Sequence, residues 1–320
     1  MVTLAPPQTT PSPHQPLQTT RPHTTRNRTT VTKTAVAVLE RACTKAGLDS
    51  RDARLLRGHT NAVLLLEKEQ VVAKIARKGT DVESVARTVT FVRWLIEAGF
   101  PTVPLHPCDQ PLIVDGHAVT FWTYLPQPEY PVAAGQLAGP LKALHSLPPP
   151  PIALAGHDNI RAIRRSLAAS TCLPAAAIRY MEEEADRLEG ELREVRFTLA
   201  PGLIQGDPQH RNALHTTGGS AVLCDWDTVA QGQPEWDLVT VEVHCRRFGY
   251  GQAHYQAFAD TYGWDVTKCT GYPVLRDIRE LCMITTNARK VRHAPESLSE
   301  IQRRVDGLRR RDGQLPWSIL

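Results

Sequence analysis

The apolar positions of this 320-residue chain change their spacing twice, and each change marks a different kind of structure. Residues 1–30 are mostly Thr, Pro, Gln and His, with no repeating apolar pattern. Such a segment buries too little apolar surface to offset the entropy of ordering it, which predicts a disordered tail. Over 31–47, Val36, Val38, Leu39 and Ala42 predict a helix closed by Gly47. Three short β runs follow at 53–56, 62–66 and 71–75, broken by polar turns, the pattern of an antiparallel meander. Over 81–98, Val82, Val85, Val89, Val92 and Ile96 recur at helical spacing, and Gly99 ends the run. Two further strands are expected at 111–114 and 118–125, across the Asp115-Gly116 turn.

Past Pro126 the helical period dominates. Helices are expected at about 133–146, 159–170, 175–193, 235–248, 252–262, 272–289 and 295–310, interrupted only by two strands near 203 and 222. Pro126, Pro128 and Pro131 mark the change. The expected organisation is α+β: a tail over 1–30, a small antiparallel β lobe over 31–125 and a larger helical lobe over 126–320.

Composition narrows the class. Hydrophobic residues make up 42% of the chain, enough for a globular core, and no apolar run reaches the ~18 residues of a membrane span. The net charge of +4 is partly local, because Arg21, Arg26, Arg28 and Lys33 precede the first acidic residue, Glu40. A short basic tail without interleaved aromatics predicts solvation, not a nucleic-acid partner. The seven cysteines are scattered and form no CxxC, so neither a zinc site nor a disulfide framework is expected. With no secretory apolar core near the N-terminus, a cytoplasmic location is expected.

The candidate chemistry lies in two blocks. Asp207 stands five residues before Asn212, and Asp225 follows after one short hairpin. Phosphoryl transfer needs this set: one carboxylate to orient the attacking hydroxyl and take its proton, and an amide and a second carboxylate to hold magnesium on nucleotide phosphates. Asp227 either supports that metal shell or caps the next turn. His210 reads as a loop residue, Glu182–Glu184 as a solvated helix face, and Arg303, Arg304 and Arg309–Arg311 as a charged helix end.

These motifs resemble the aminoglycoside phosphotransferase and choline kinase-like family of the protein-kinase-like fold. Gly206-Asp207 with Asn212 resembles its catalytic loop, Asp225-Trp226-Asp227 its metal-binding block, and Gln233–Leu238 the segment after it. Leu141, Leu144, His145 and Leu147 resemble its leucine-and-histidine helix. The resemblance implies a bilobal kinase-like fold and an ATP- (or GTP-) and magnesium-dependent kinase acting on a small-molecule hydroxyl. Asp207 would be the base, and Asn212 and Asp225 the magnesium ligands. Asp237 would hold the loop from below. Lys74, in Val-Val-Ala-Lys-Ile, resembles the strand lysine that reaches the nucleotide phosphates. Gly58–Asn61 would cover the phosphates, with Thr60 and Asn61 as donors, and Thr123 and Leu125 sit where the family's hinge meets adenine.

Two positions depart from the family pattern. Gln205 replaces a histidine two residues before the catalytic aspartate. Thr88 falls where a helix glutamate usually pairs with the strand lysine. Both departures keep an alternative in view, a nucleotide-binding pseudokinase with a regulatory or scaffold role.

Overall fold

The computed structural model describes residues 33–58 and 61–320. The 1–30 tail and Thr60 lie outside the described residues. Strands β1 (Ala53–Arg57), β2 (Ala62–Leu66), β3 (Val71–Ile75), β4 (Leu112–Val114) and β5 (His117–Thr123) form one antiparallel sheet in the order β1-β2-β3-β5-β4.

Alternation along β3 sorts the two faces of this sheet. Val71, Ala73 and Ile75 are buried, while Val72 and Lys74 are only partly so. Helix α1 (Lys33–Ala46) packs Val38, Leu39, Ala42 and Cys43 against the Val71–Ile75 face, together with Leu64, Leu66, Val119 and Phe121. Period two therefore turns Lys74 to the opposite face, paired across the sheet with Val63 and Thr120.

Helix α2 (Val82–Glu97) is capped by Asp81, whose carboxylate accepts from the amides of Glu83 and Ser84. Its buried stripe departs from the sequence expectation. Val89, Phe91, Val92 and Leu95 are buried, whereas Val82 and Ile96 are 40% and 44% exposed. The stripe is rotated because α2 packs onto the helical lobe through Trp226. The Phe91 and Phe100 rings lie 5.5 and 6.0 Å from the Trp226 ring, both edge-on.

The helical lobe contains α3 (Ala134–His145), α4 (Asn159–Ala168), α5 (Ala175–Leu192), α6 (Glu235–Arg247), α7 (Gln252–Tyr262), α8 (Tyr272–Ala288) and α9 (Leu298–Arg309). A fold of α+β class with a bilobal layout is thus observed as expected. Between α5 and α6 the chain forms four short strands where two were expected. β6 (Gly202–Ile204) pairs with β9 (Ala230–Gly232), and β7 (Ala213–His215) with β8 (Ala221–Leu223). Three-residue strands carry too little pattern to be read from sequence.

Of the arginines expected at a charged helix end, Arg309–Arg311 are exposed, but Arg304 is not. Arg304 is 1% exposed. Its guanidinium sits 4.5 Å from the Trp317 ring and 5.8 Å from the Phe248 ring, and it pairs with Glu300 at 2.9 Å. Nearby, α6 and α8 are tied by buried ions: Glu280 takes Arg246 at 2.8 Å and Arg247 at 2.5 Å. Glu182 and Glu183 are exposed, and Glu184 pairs with Arg187 at 3.0 Å, so that run is a solvated face.

Candidate active site

Trp226 organises the Asp225–Asp227 block. It is 1% exposed and its indole N–H donates to Thr102 Oγ1 at 2.8 Å. Burying a ring of this size stabilises by about 4–6 kcal/mol at about 25 cal/mol per Å². Asp225 enters the turn in the left-handed region, at φ 58°, a conformation Asp tolerates better than most residues. With the tryptophan anchored, both flanking carboxylates meet Lys74. Its Nζ lies 2.9 Å from Asp225 Oδ1 and 2.7 Å from Asp227 Oδ2.

This contact answers the Thr88 question. Thr88 is partly buried and spends its hydroxyl on the Ser84 carbonyl at 3.2 Å. It does not engage Lys74. The lysine is oriented across the lobes instead. Burial alone would lower its pKa, but Asp225 and then Asp227 outweigh that and raise it. The two carboxylates are 40% and 49% exposed, so solvent screens the pair and its use is orientation more than stability.

The catalytic-loop candidate is held from below by Asp237, which is wholly buried. Its Oδ2 accepts from the Gln205 amide at 2.7 Å and contacts His145 Nε2 at 3.0 Å. Its Oδ1 accepts from the Gly206 amide at 2.8 Å. His145 Nδ1 in turn meets the Tyr262 hydroxyl at 2.8 Å. Gly206 has φ +85°, and a Cβ there would sit 2.3 Å from the Thr228 carbonyl oxygen. Only glycine fits that close crossing.

Gln205 joins the two blocks. It is fully buried. Its Oε1 accepts from the Asp207 amide at 2.7 Å, and its Nε2 donates to the Cys224 and Asp225 carbonyls, each at 3.1 Å. An amide carries both a donor and an acceptor, so it links both backbones at once.

Asp207 itself has both oxygens engaged. Gln209 Nε2 donates to Oδ2 at 2.8 Å and Asn212 Nδ2 at 3.2 Å, while the Arg279 guanidinium from α8 pairs with Oδ1. Arg279 was not singled out from the sequence. The available signal was an arginine inside the buried stretch Leu275–Ala288 of α8, where a charged residue is costly without a partner.

Asn212 is 5% exposed and directs its amide N–H groups to Asp207, so its Oδ1 is left without a protein donor among the described residues. That oxygen, with the Asp225 carboxylate, is a hard-oxygen set of the kind magnesium takes when phosphates and waters complete its shell. His210 is a neutral packing residue. It is 3% exposed and stacks on Tyr250 at 4.1 Å, and burial, then His254, push its pKa down to about 4. Asn61 precedes β2, Thr123 ends β5, and Leu125 is partly buried just beyond. The Leu125 carbonyl accepts from Gln127 at 3.1 Å, and Gln127 also binds both backbone groups of His215.

A five-stranded antiparallel sheet over a helical lobe, with a strand lysine meeting paired aspartates across the cleft, defines a kinase-like phosphotransferase. The chain belongs to the phosphotransferase enzyme family (APH), whose match spans residues 52–278. No curated protein matches it in sequence. Among solved structures it resembles the choline kinase LicA from Streptococcus pneumoniae, at TM-score 0.63 and 14% identity over 87% of this chain and 99% of that one. It also resembles the amicoumacin kinase hAmiN in complex with AMP-PNP, Ca2+ and Ami, at TM-score 0.67 and 14% identity over 88% and 95%. A third is the spectinomycin phosphotransferase APH(9)-Ia with ADP and spectinomycin, at TM-score 0.58 and 14% identity over 84% and 88%. At these identities the likeness is one of fold. No helix among the described residues is long and apolar enough to cross a membrane.

Proposed function

We propose that the chain is an ATP- (or GTP-) and magnesium-dependent small-molecule kinase that transfers the γ-phosphate to a substrate hydroxyl. Residues 31–125 would bind nucleotide, and 126–320 would carry catalysis and the acceptor. The observation that carries this reading is the station of Asp207. It lines a cavity in the helical lobe, and Gln205 connects it to Asp225, which pairs with Lys74.

Asp207 orients the acceptor hydroxyl and accepts its proton. The hydroxyl oxygen then bonds to the γ-phosphorus as the bond to the β-phosphate oxygen breaks. Lys74 would contact the phosphates, and Asn212 Oδ1 and Asp225 would hold magnesium, whose charge would offset that of the transferred group. Asn61 supports the phosphate-covering turn, and Thr123 and Leu125 the adenine edge. The relatives named above are kinases of choline, amicoumacin and spectinomycin, which favours a small hydroxyl acceptor in this chain also.

The test is magnesium-dependent ATP turnover against a panel of hydroxyl compounds, with Asp207→Asn as control. Transfer by wild type that survives unchanged in Asp207→Asn would refute the role of Asp207. One observation favours the pseudokinase alternative: Arg279 occupies the Asp207 oxygen that a hydroxyl would use. Nucleotide binding without transfer to any acceptor would support it.

A further inference from the structure

The cavity beside Asp207 has a charge pattern that phosphoryl transfer by itself does not require. It encloses about 1090 Å³, and its wall is drawn from residues 155–320 with none from the sheet. It therefore opens on the helical-lobe side of Asp207, with Asp227 linking its wall to Lys74. Three side-chain carboxylates line it, and each is already engaged. Asp158 caps α4 through the Arg161 amide at 2.8 Å, Asp207 pairs with Arg279, and Asp227 pairs with Lys74 at 2.7 Å.

The cations on the same wall are not balanced in this way. Arg161, Arg165, Arg211, Arg289 and Lys290 line the cavity, and none of them makes an ion pair with a carboxylate among the described residues. Lys290 is half-buried. Burial first, and then the adjacent Arg289, push its pKa down. Arg279 adds an independent sign. It is 8% exposed, and its Nε is buried with no hydrogen-bond partner. Arg161, Arg165, Arg211 and Arg289 are exposed, so water screens them, whereas a buried guanidinium N–H without a partner is costly, and a site keeps it where a ligand supplies the acceptor.

Resting on the kinase reading above, we propose that the acceptor is an anionic hydroxyl compound, whose phosphate or carboxylate group binds Arg279, Arg289 and Lys290 while its hydroxyl meets Asp207. Guanidinium forks suit such groups through paired, charge-assisted hydrogen bonds. Engagement of Arg279 by that anion frees Oδ1 of Asp207 for the hydroxyl, so the Arg279–Asp207 pair is opened by the acceptor itself. A polycationic acceptor would meet like charge on the same wall.

The test uses the full-length protein saturated with magnesium and AMP-PNP, so that the nucleotide side is filled. Inorganic phosphate, malonate and kanamycin are titrated calorimetrically. Phosphate or malonate should bind, with an affinity that falls as salt rises. The double variant Arg289→Gln/Lys290→Gln should weaken that binding at least about tenfold. Kanamycin should not bind. Should that variant fold poorly, Arg289→Gln alone, at an exposed side chain, provides the same readout. Anion binding that is absent, or indifferent to both variants, overturns the proposal, as does tight kanamycin binding. The kinase reading is scored separately, by AMP-PNP affinity with and without magnesium. If it fails, the anion titration on the free protein still decides the cavity.

Discussion

Asp207 and Asp237 are thirty residues apart, and each accepts three or more hydrogen bonds, yet they sit in opposite environments. Asp237 is wholly enclosed and its partners are two loop amides and His145. Asp207 keeps 26% of its side chain exposed toward the cavity, and its partners are side chains, those of Arg279, Gln209 and Asn212. A carboxylate that fixes backbone must be buried, because burial makes loss of its acceptors expensive. One that receives a substrate proton must keep an oxygen within reach. On the proposed reading, the two residues would divide these tasks across a single loop.

The sharpest way to separate them is Asp207→Asn. The amide keeps one oxygen for Arg279, so the fold should hold, while turnover falls by about 10²–10⁴-fold. Initial rates alongside a thermal melt check both halves, and a large melting shift would mean Asp207 is structural after all. Asp237→Ala should do the reverse. It strands the Gln205 and Gly206 amides and His145 in a dry interior, at a cost of about 3–5 kcal/mol. Denaturant unfolding reads this, and a wild-type midpoint would contradict the division of tasks.

Gly206→Ala attacks the loop between the two carboxylates. The clash with the Thr228 carbonyl and the positive φ should cost about 2 kcal/mol or more and lower activity with it. Lys74→Ala leaves Asp225 and Asp227 intact and removes the proposed phosphate contact. ATP affinity should drop about tenfold, and an unchanged affinity would remove Lys74 from the site. The smallest effect is expected of Thr88→Glu. Because Lys74 is already held by Asp225 and Asp227, a helix glutamate should change ATP affinity by no more than about twofold, the scale of an exposed ion pair. A large gain would show that the interlobe pairing leaves the lysine poorly oriented.

Much of the architecture was legible in the chain because it rests on local periodicity. Alternation in 71–75 defined β3, and the helical stripes of 133–146 and 252–262 match α3 and α7 closely. The orientation of α2 was not legible. Val82 and Ile96 fit the helical period as well as Phe91 and Leu95 do, and only contact with Trp226 selects the second pair. The same limit applies to Arg304. Its place in a run of arginines suggests solvent, whereas Trp317 and Phe248 come from distant segments to enclose it.

The sequence by itself determined the chemical inventory and its order. Asp207, Asn212 and Asp225 stand on one short stretch, where spacing along the backbone limits how far apart they can be. It also determined that Lys74 faces away from α1, through the two-residue period of a strand. Only the tertiary structure decided which groups those residues meet. The partners of Lys74 lie about 150 residues downstream, and Arg279 reaches Asp207 from 72 residues away. Ionic contacts depend on distance and burial, neither of which is written in local sequence, and both arise when the two lobes close around Trp226.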